Sequence, residues 1–492
     1  MATKKKILVV TGNLSHLDQF VIHGLFKELS DSVQVILALP QSEFEGERWA
    51  KLPSEFKNSF EKVMPYKYDT KSKKTGSQLG EALTFRFRNL ASGYRTRLRN
   101  KFFIGLRVPS KWQNFSGFAV LFQNRGEVWQ RIIKEFPSFI RGTRVFFWLW
   151  SRIAISKICK YCELSEVAVN ESPDVIVVLM QRQAGFVVAA IDAGARAGIP
   201  TLLIPVKWDN ASSKSPLVKK PTRMLVYNQQ LVEVCSRMHK MPITSIVAIG
   251  SVEVGTKKKI SATNQPENLV LIGSTADASS SATWLKCVSD VLSRIGQTKN
   301  QFKTIWRPYP TGDSKSLNFM NEFVTSHTQI ELDDDIKRGM SHRAQSISFD
   351  DVSAAYFRYC ELLNSAVVVV SEGTSAIVDS RARGIPVILP AFKKDAVIGS
   401  QWCNLIGYEH LRGLRATTGV FIAEDESELE RLLTDFLENP RRIEPDNSGE
   451  NIFVDHRTYA QRVLDVIDAV LIDTVLIDTV LIDTVLIDAS KN

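Results

Sequence analysis

Residues 366–390 read AVVVVSEGTSAIVDSRARGIPVILP. The run Ala366–Val370 is apolar and β-branched, the composition of a parallel strand buried on both faces, and it stops at Ser371-Glu372-Gly373-Thr374-Ser375. A helix is predicted to begin there, because Thr374 or Ser375 can cap it and small residues leave its first N–H groups uncovered. Free donors and the positive end of the helix dipole then converge on one point, which suits a phosphate. Asp379 falls about one turn further on, where a carboxylate could reach sugar hydroxyls beside that phosphate. Gly384-Ile385-Pro386 ends the helix, and the next strand runs from Val387 to Leu389. Any strand–turn–helix of an α/β domain can open with Gly and Ser or Thr, so this pattern speaks to fold class before it speaks to a ligand.

Outward from this stretch the same alternation recurs. Lys5 to Val10 reads as a strand, Thr11 to Leu17 as a loop, Asp18 to Leu29 as an amphipathic helix and Val33 to Leu39 as a second strand. An insertion over about residues 65–165, helical by spacing, interrupts the pattern. It resumes with a strand at Asp174 to Leu179, a turn at Gln181 to Gly185, a helix through Ala197, and strands at Thr201 to Pro205 and Met224 to Tyr227. A second cycle follows Ile249-Gly250-Ser251-Val252. It has a strand at Leu269 to Ile272 ended by Gly273-Ser274-Thr275, a helix from Ala278 to Gly296, a strand at Lys303 to Trp306, and a helix over 350–364. The expectation is α/β: two Rossmann-like parallel-sheet domains with helices on both faces, meeting at a ligand cleft. The expected boundaries are 1–250, 251–465, and a repeat tail over 466–492.

The 366–390 string resembles the donor-binding element of GT-B glycosyltransferases and of the related glycerophosphotransferases and sugar-nucleotide epimerases: a strand, a Gly-Ser/Thr turn, an acid-bearing helix, then Gly-x-Pro-hydrophobic. Ile249 to Val252 resembles the glycine-bearing hinge strand of two-domain glycosyltransferases. Lys207-Trp208-Asp209-Asn210-Ala211-Ser212-Ser213-Lys214 is similar to a Trp-Asp-Asn-x-x-Ser-Lys element of glycosyltransferase-like proteins of surface-polysaccharide pathways. Arg307-Pro308-Tyr309-Pro310 looks like the Arg/Lys-Pro-His-Pro of polymer-forming transferases, with Tyr309 where His is usual. The resemblance implies a GT-B fold and a nucleotide-sugar donor, with Gly373, Thr374, Ser375 and Arg307 on its diphosphate and Asp379 on ribose or sugar hydroxyls. Glu372 departs from the pattern, since an acid beside a phosphate repels it unless directed away.

The remaining candidates come from position and residue type. Ser274 and Thr275 follow the first strand of the second domain and could meet the same phosphates. Trp208, Asp209, Asn210 and Lys214 follow a strand of the first domain and offer a carboxylate, an amide and an ammonium to orient a sugar, with Asp209 a catalytic candidate and the others lining the cleft; a polar loop with an Asx turn is the other reading. His16 could act as the acceptor's general base with Asp18 as orienting partner, although Ser15 and Asp18 are also good helix caps. Arg307, at a strand end, could neutralise phosphate in place of a metal ion. No metal or cofactor is expected: Asp333-Asp334-Asp335 contains a nominal DxD but reads as a solvated loop, and Cys159 and Cys162 form a lone CxxC with no second pair near.

The net charge of +9 is unevenly spread. Residues 67–160 carry twenty Lys and Arg against four Asp and Glu, an excess of +16, so the rest of the chain sums to −7. They also hold seventeen of its forty-five aromatics. Such interleaving suits an anionic membrane surface or a lipid-linked acceptor, and equally a basic insertion packed on its own domain or a groove for an anionic substrate. A nucleic-acid partner is not expected. The most apolar part, Val145 to Trp150, is far short of the ~20 residues needed to span a bilayer. With six unpatterned cysteines and no signal-peptide pattern, the chain reads as cytoplasmic, peripheral at the inner face of a membrane.

The tail places Asp468, Asp473, Asp478, Asp483 and Asp488 every five residues, a spacing that gives no constant face on helix or strand, and no catalytic role is expected of it. The functional expectation is a metal-independent glycosyltransferase moving a sugar from a nucleotide-sugar to a surface-polysaccharide or lipid-linked acceptor. A CDP-glycerol-type transferase, a sugar-nucleotide 2-epimerase, and a non-catalytic membrane-associated scaffold of polysaccharide assembly are the alternatives.

Overall fold

The computed structural model describes residues 4–68, 156, 158–159, 162–181, 185–213, 217, 219–252, 267–273, 282–295, 302–308, 314–337, 349–395, 401, 405, 409–444 and 457–473. Most of the basic, aromatic stretch 67–160 and the later tail repeats lie outside them. The described residues fall into two compact units. One is built from residues up to Val252 together with 457–473, the other from Glu267 to Glu444.

The first unit is a parallel sheet of β1 (Lys6–Val10), β2 (Gln34–Pro40), β3 (Lys62–Tyr66), β4 (Val175–Met180), β5 (Thr201–Pro205), β6 (Arg223–Val226) and β7 (Ile246–Ala248), in the order β3-β2-β1-β4-β5-β6-β7. The second is a parallel sheet of β8 (Asn268–Ile272), β9 (Lys303–Arg307), β10 (Ile330–Leu332), β11 (Ala366–Ser371), β12 (Val387–Pro390) and β13 (Val420–Ala423), in the order β10-β9-β8-β11-β12-β13. Two Rossmann-like sheets are what the alternation implied. The strands the sequence did not announce are β3, β7, β10 and β13, the four edges. An edge strand packs against one neighbour only, so it carries no long apolar run: β3 shows mixed burial and β7 and β10 are three residues each.

Glycine sets several boundaries. Gly198 and Gly384 take φ of +69° and +70° ahead of Ile-Pro, the same helix-to-strand reset in both units. Gly24, at φ +72°, divides the helix expected over 18–29 into Asp18–Ile22 and Leu25–Ser32, because a left-handed residue cannot continue a right-handed helix.

In the second unit, the helices Ala282–Ile295 and Glu426–Glu438 contribute Leu285, Val288, Leu433 and Phe436 to a core shared with Trp306 of β9 and Val368 and Val370 of β11. In the first, residues 459–473 form a helix that buries Tyr459, Val463, Val466, Ile467 and Val470 at helical spacing. The five-residue repeat thus begins inside a docked helix. Its first two aspartates find cations there, Asp468 with Lys5 at 2.6 Å and Asp473 with Arg223 at 2.5 Å. Among the described residues, no helix is long and apolar enough to cross a membrane.

Candidate functional site

In the second unit the strand order changes direction between β8 and β11, so the carboxyl ends of these neighbours border a crevice of the kind where open α/β sheets bind ligands. Gly273 follows β8, its N–H bonded to the Arg307 carbonyl at 3.2 Å. Ser274 lies outside the described residues. After β11, Thr374 caps the helix Ala376–Arg381: its Oγ1 accepts the Ala376 N–H at 3.2 Å and lies 3.2 Å from Ser371 Oγ. Ser375 makes no side-chain cap. The main-chain N–H groups of Thr374 and Ser375 make no hydrogen bond among the described residues. Glu372, the acid that clashed with a phosphate reading, is 1% exposed and accepts the Trp284 Nε1–H at 2.7 Å, so its carboxylate is engaged by the helix Ala282–Ile295.

Two donor-site assignments look different in the structure. The Gly373 N–H is not open: it donates to Gln401 Oε1 at 3.0 Å, and a Cβ at this position would lie 2.9 Å from Leu411 Cδ1. A side chain at this position would have to displace the Leu411 methyl. Asp379 is 5% exposed and accepts the Tyr359 hydroxyl at 3.1 Å, while its carbonyl accepts from Arg383 Nη1 at 2.7 Å. It is engaged by the helix Phe349–Asn364 rather than standing open for sugar hydroxyls.

Arg307 ends β9, as expected, but with partners the sequence reading missed. Its Nη1 lies 2.8 Å from Asp333 Oδ1 and 3.3 Å from Asp335 Oδ2, and its guanidinium lies over the Tyr359 ring at 5.2 Å. Asp335 also holds Arg358, Nε to Oδ1 at 2.6 Å. The acidic triplet is therefore not a solvated loop: Asp333 and Asp335 are buried and only Asp334 faces water. Among the described residues, no group of three His, Cys, Asp or Glu is arranged to hold a metal ion.

The first unit has its own change of direction, between β1 and β4. Gly12 follows β1, where a Cβ would lie 2.4 Å from the Phe186 ring, so only glycine admits the helix Gly185–Ala197 this close. His16 closes the short 3-10 turn Leu14–His16, and its Nε2 lies 3.1 Å from Gln181 Oε1 in the loop after β4. The imidazole is thus held across the crevice by Gln181. Asp18, the expected orienting partner, is paired with Arg48 at 2.5 Å. Burial raises the Asp18 pKa and Arg48 opposes the shift.

The 207–214 element follows β5. Trp208 and Asn210 are buried at 3% and 1% exposure, and Asn210 Nδ2 donates to the Met180 carbonyl at 3.4 Å, so both help to build the unit. Asp209 is half-buried, with its carbonyl accepting the Ser212 N–H at 3.2 Å. Lys214 lies outside the described residues. The pin of this element is His239, a residue with no motif to flag it. Its Nδ1 accepts the Leu217 N–H at 3.1 Å and its Nε2–H donates to the Ala211 carbonyl at 2.8 Å, an arrangement only the neutral ring can make.

Burial holds the His239 pKa down, from 6.5 to about 4, against the Ala211 bond that pulls it up. The folded pKa is depressed, so the contribution to stability is complete above the unfolded value of 6.5 and is lost as pH falls toward about 4. The slope in that window should reach about 1.4 kcal/mol per pH unit. A His239→Gln variant should be less stable than the parent at pH 7, with the gap narrowing at pH 5 in urea unfolding. An unchanged gap would show that the ring is not the titrating group.

No protein-family model and no curated protein matches the chain. Among solved structures, a Listeria monocytogenes protein assigned as a UDP-N-acetylglucosamine 2-epimerase is similar at a TM-score of 0.51 and 10% identity, over 95% of this chain and 96% of that one. The chain has a GT-B-type fold. The UDP-GlcNAc 2-epimerase of Methanocaldococcus jannaschii is similar at a TM-score of 0.48 and 11% identity over 94% of this chain and 99% of that one. A UDP-glycosyltransferase of Glycyrrhiza uralensis, complexed with glycyrrhetinic acid 3-O-monoglucuronide, is similar at a TM-score of 0.47 and 11% identity over 99% and 100%. At 10% identity the likeness to the Listeria protein is one of fold.

Proposed function

We propose that this chain is a glycosyltransferase that takes a sugar from a nucleotide-sugar donor and places it on a hydroxyl of a surface-polysaccharide or lipid-linked acceptor. The observation that carries the reading is the pair of open N–H groups at Thr374 and Ser375 beside the β8–β11 crevice, with the Glu372 carboxylate engaged elsewhere. Donor binding belongs to the second unit: these N–H groups and the Arg307 cation take the diphosphate. This chemistry calls for no metal or cofactor. Acceptor activation belongs to the first unit, where His16 takes the hydroxyl proton and Asp209, Asn210, Trp208 and Lys214 shape the acceptor's surroundings. The new bond joins the acceptor oxygen to the sugar's anomeric carbon, and the nucleoside diphosphate leaves with the electron pair of the broken bond. The basic, aromatic residues 67–160 would bring the enzyme to an anionic membrane, and co-sedimentation with anionic but not neutral liposomes tests that part.

Thermal-shift measurements with UDP-, GDP-, CDP- and CMP-sugars test the donor assignment, since a ligand at 100 times its Kd stabilises by about 2.7 kcal/mol. No shift with any of them removes the reading. A sugar-nucleotide 2-epimerase is the second reading, favoured by the name of the Listeria fold neighbour. Incubation with donor alone separates the two, because an epimerase changes the sugar without an acceptor.

Gln401 gives a sharper test. Its carboxamide oxygen occupies the Gly373 N–H that a phosphate oxygen would otherwise take. Gln401→Ala should tighten nucleoside-diphosphate binding several-fold, about 1 kcal/mol for one released donor. Gln401→Glu, which puts a carboxylate at that place, should weaken it. Isothermal titration reads both, and an Ala variant weaker than the parent would make Gln401 a ligand contact instead.

A further inference from the structure

Arg307 is held in an unusual way. The register Leu332↔Trp306 between β10 and β9 brings Asp333 beside Arg307, and the Asp333 N–H extends the ladder to the Trp306 carbonyl at 2.9 Å. Asp333 Oδ1 also accepts the Asp335 N–H at 3.0 Å, which fixes the carboxylate before it meets the guanidinium. Asp333 and Asp335 then converge on one nitrogen, Nη1, at 2.8 and 3.3 Å. The Tyr359 ring covers the guanidinium at 5.2 Å, and its hydroxyl is anchored on Asp379 at 3.1 Å. Nε and Nη2 of Arg307 make no hydrogen bond among the described residues.

A structural ion pair would normally use the guanidinium fork, two parallel N–H groups on one carboxylate. Here both carboxylates crowd one nitrogen, and the side-on edge that matches a pair of phosphate oxygens is left over. Asp335 is balanced by Arg358 at 2.6 Å, so the second carboxylate need not discharge Arg307.

We infer that Asp333, Asp335 and Tyr359 are positioning residues, which hold Arg307 with its Nε–Nη2 edge presented to the phosphates of the donor. The inference rests on the donor reading above. It gives the acidic triplet a role that needs no metal: it aims a cation.

Isothermal titration with UDP, GDP, CDP and inorganic pyrophosphate tests it, with pyrophosphate independent of the base. Arg307→Lys keeps the charge and loses the fork, and should weaken the binding of whichever probe the parent binds at least tenfold. Asp333→Asn is decisive in sign. If the carboxylate acts only through its charge, its removal makes the surroundings more positive and binding tightens; if it positions Arg307, binding weakens, about three- to tenfold. Tyr359→Leu, which leaves the buried charges in place, should weaken binding in the same way and covers the case in which Asp333→Asn does not fold. In turnover assays both variants should raise KM for the donor and leave kcat near the parent value. A parent protein that binds none of the four probes overturns the donor reading and this inference with it. A parent that binds, with Asp333→Asn or Tyr359→Leu equal or tighter, overturns the positioning role alone.

Discussion

Arg381→Met should destabilise the second unit by roughly 4 kcal/mol or more. Arg381 is fully buried at 0% exposure, and its guanidinium donates to three main-chain carbonyls: Nε to Thr418, Nη1 to Ile385 and Nη2 to Ile443, each at 2.8 Å. These carbonyls belong to the chain entering β13, the chain entering β12 and the segment after the helix Glu426–Glu438, so one side chain ties three connections together. Burial holds its pKa down at about 10, which still leaves it charged at neutral pH. Methionine fills similar space and leaves the carbonyls without their charged donor, at roughly 1–3 kcal/mol each. Gly419 supplies a control. Its φ is +76°, and a Cβ there would lie 2.4 Å from Arg381 Cζ, so Gly419→Ala should be destabilising for two reasons. In the Arg381→Met background the steric one relaxes and only the left-handed strain of about 1–2 kcal/mol remains, so the two substitutions should be markedly non-additive in urea unfolding. An Arg381→Met protein within 1 kcal/mol of the parent would mean that water serves these carbonyls as well as the guanidinium does.

His16→Ala should lower kcat by about 10²- to 10⁴-fold with little change in KM for the donor, the effect of losing a general base. The imidazole sits where β1 and β4 diverge, with Nε2 held at 3.1 Å by Gln181 Oε1. Gln181→Ala should cost less, roughly tenfold, because it frees the ring without removing it. Asp18→Asn should act mainly on stability, since its partner is Arg48. Steady-state kinetics and urea unfolding separate the three: loss of the base lowers kcat, whereas loss of the Arg48 pair lowers stability and leaves kcat in place. Near-normal turnover in His16→Ala would remove the base assignment.

The central strands were legible because a strand buried on both faces must be apolar at every position. The runs Leu202 to Ile204 in β5 and Ala366 to Val370 in β11 meet that demand, and their ends are marked by glycine, proline or small polar residues. The edge strands were not legible, since one exposed side permits residues such as Lys62 and Glu331. The turn at 371–375 was readable as the mouth of a crevice, but the loss of the Gly373 N–H was not: Gln401 lies 28 residues downstream and has no local mark. Likewise the buried state of Asp333 and Asp335 could not be inferred from an acidic triplet. It depends on β10 pairing with β9 in the register that brings Asp333 beside Arg307.

Composition and periodicity were sufficient for the central strands of the two parallel sheets, the helix-to-strand resets at Gly198 and Gly384, and the position of the turn at 371–375, because these follow from burial and backbone freedom along the chain itself. The partners of Gly373, Asp379, Arg307, Asp18 and His16 were decided only when strands and helices packed. Hydrogen bonds and ion pairs form between groups that folding brings within about 3 Å, and sequence separation says nothing about which those will be.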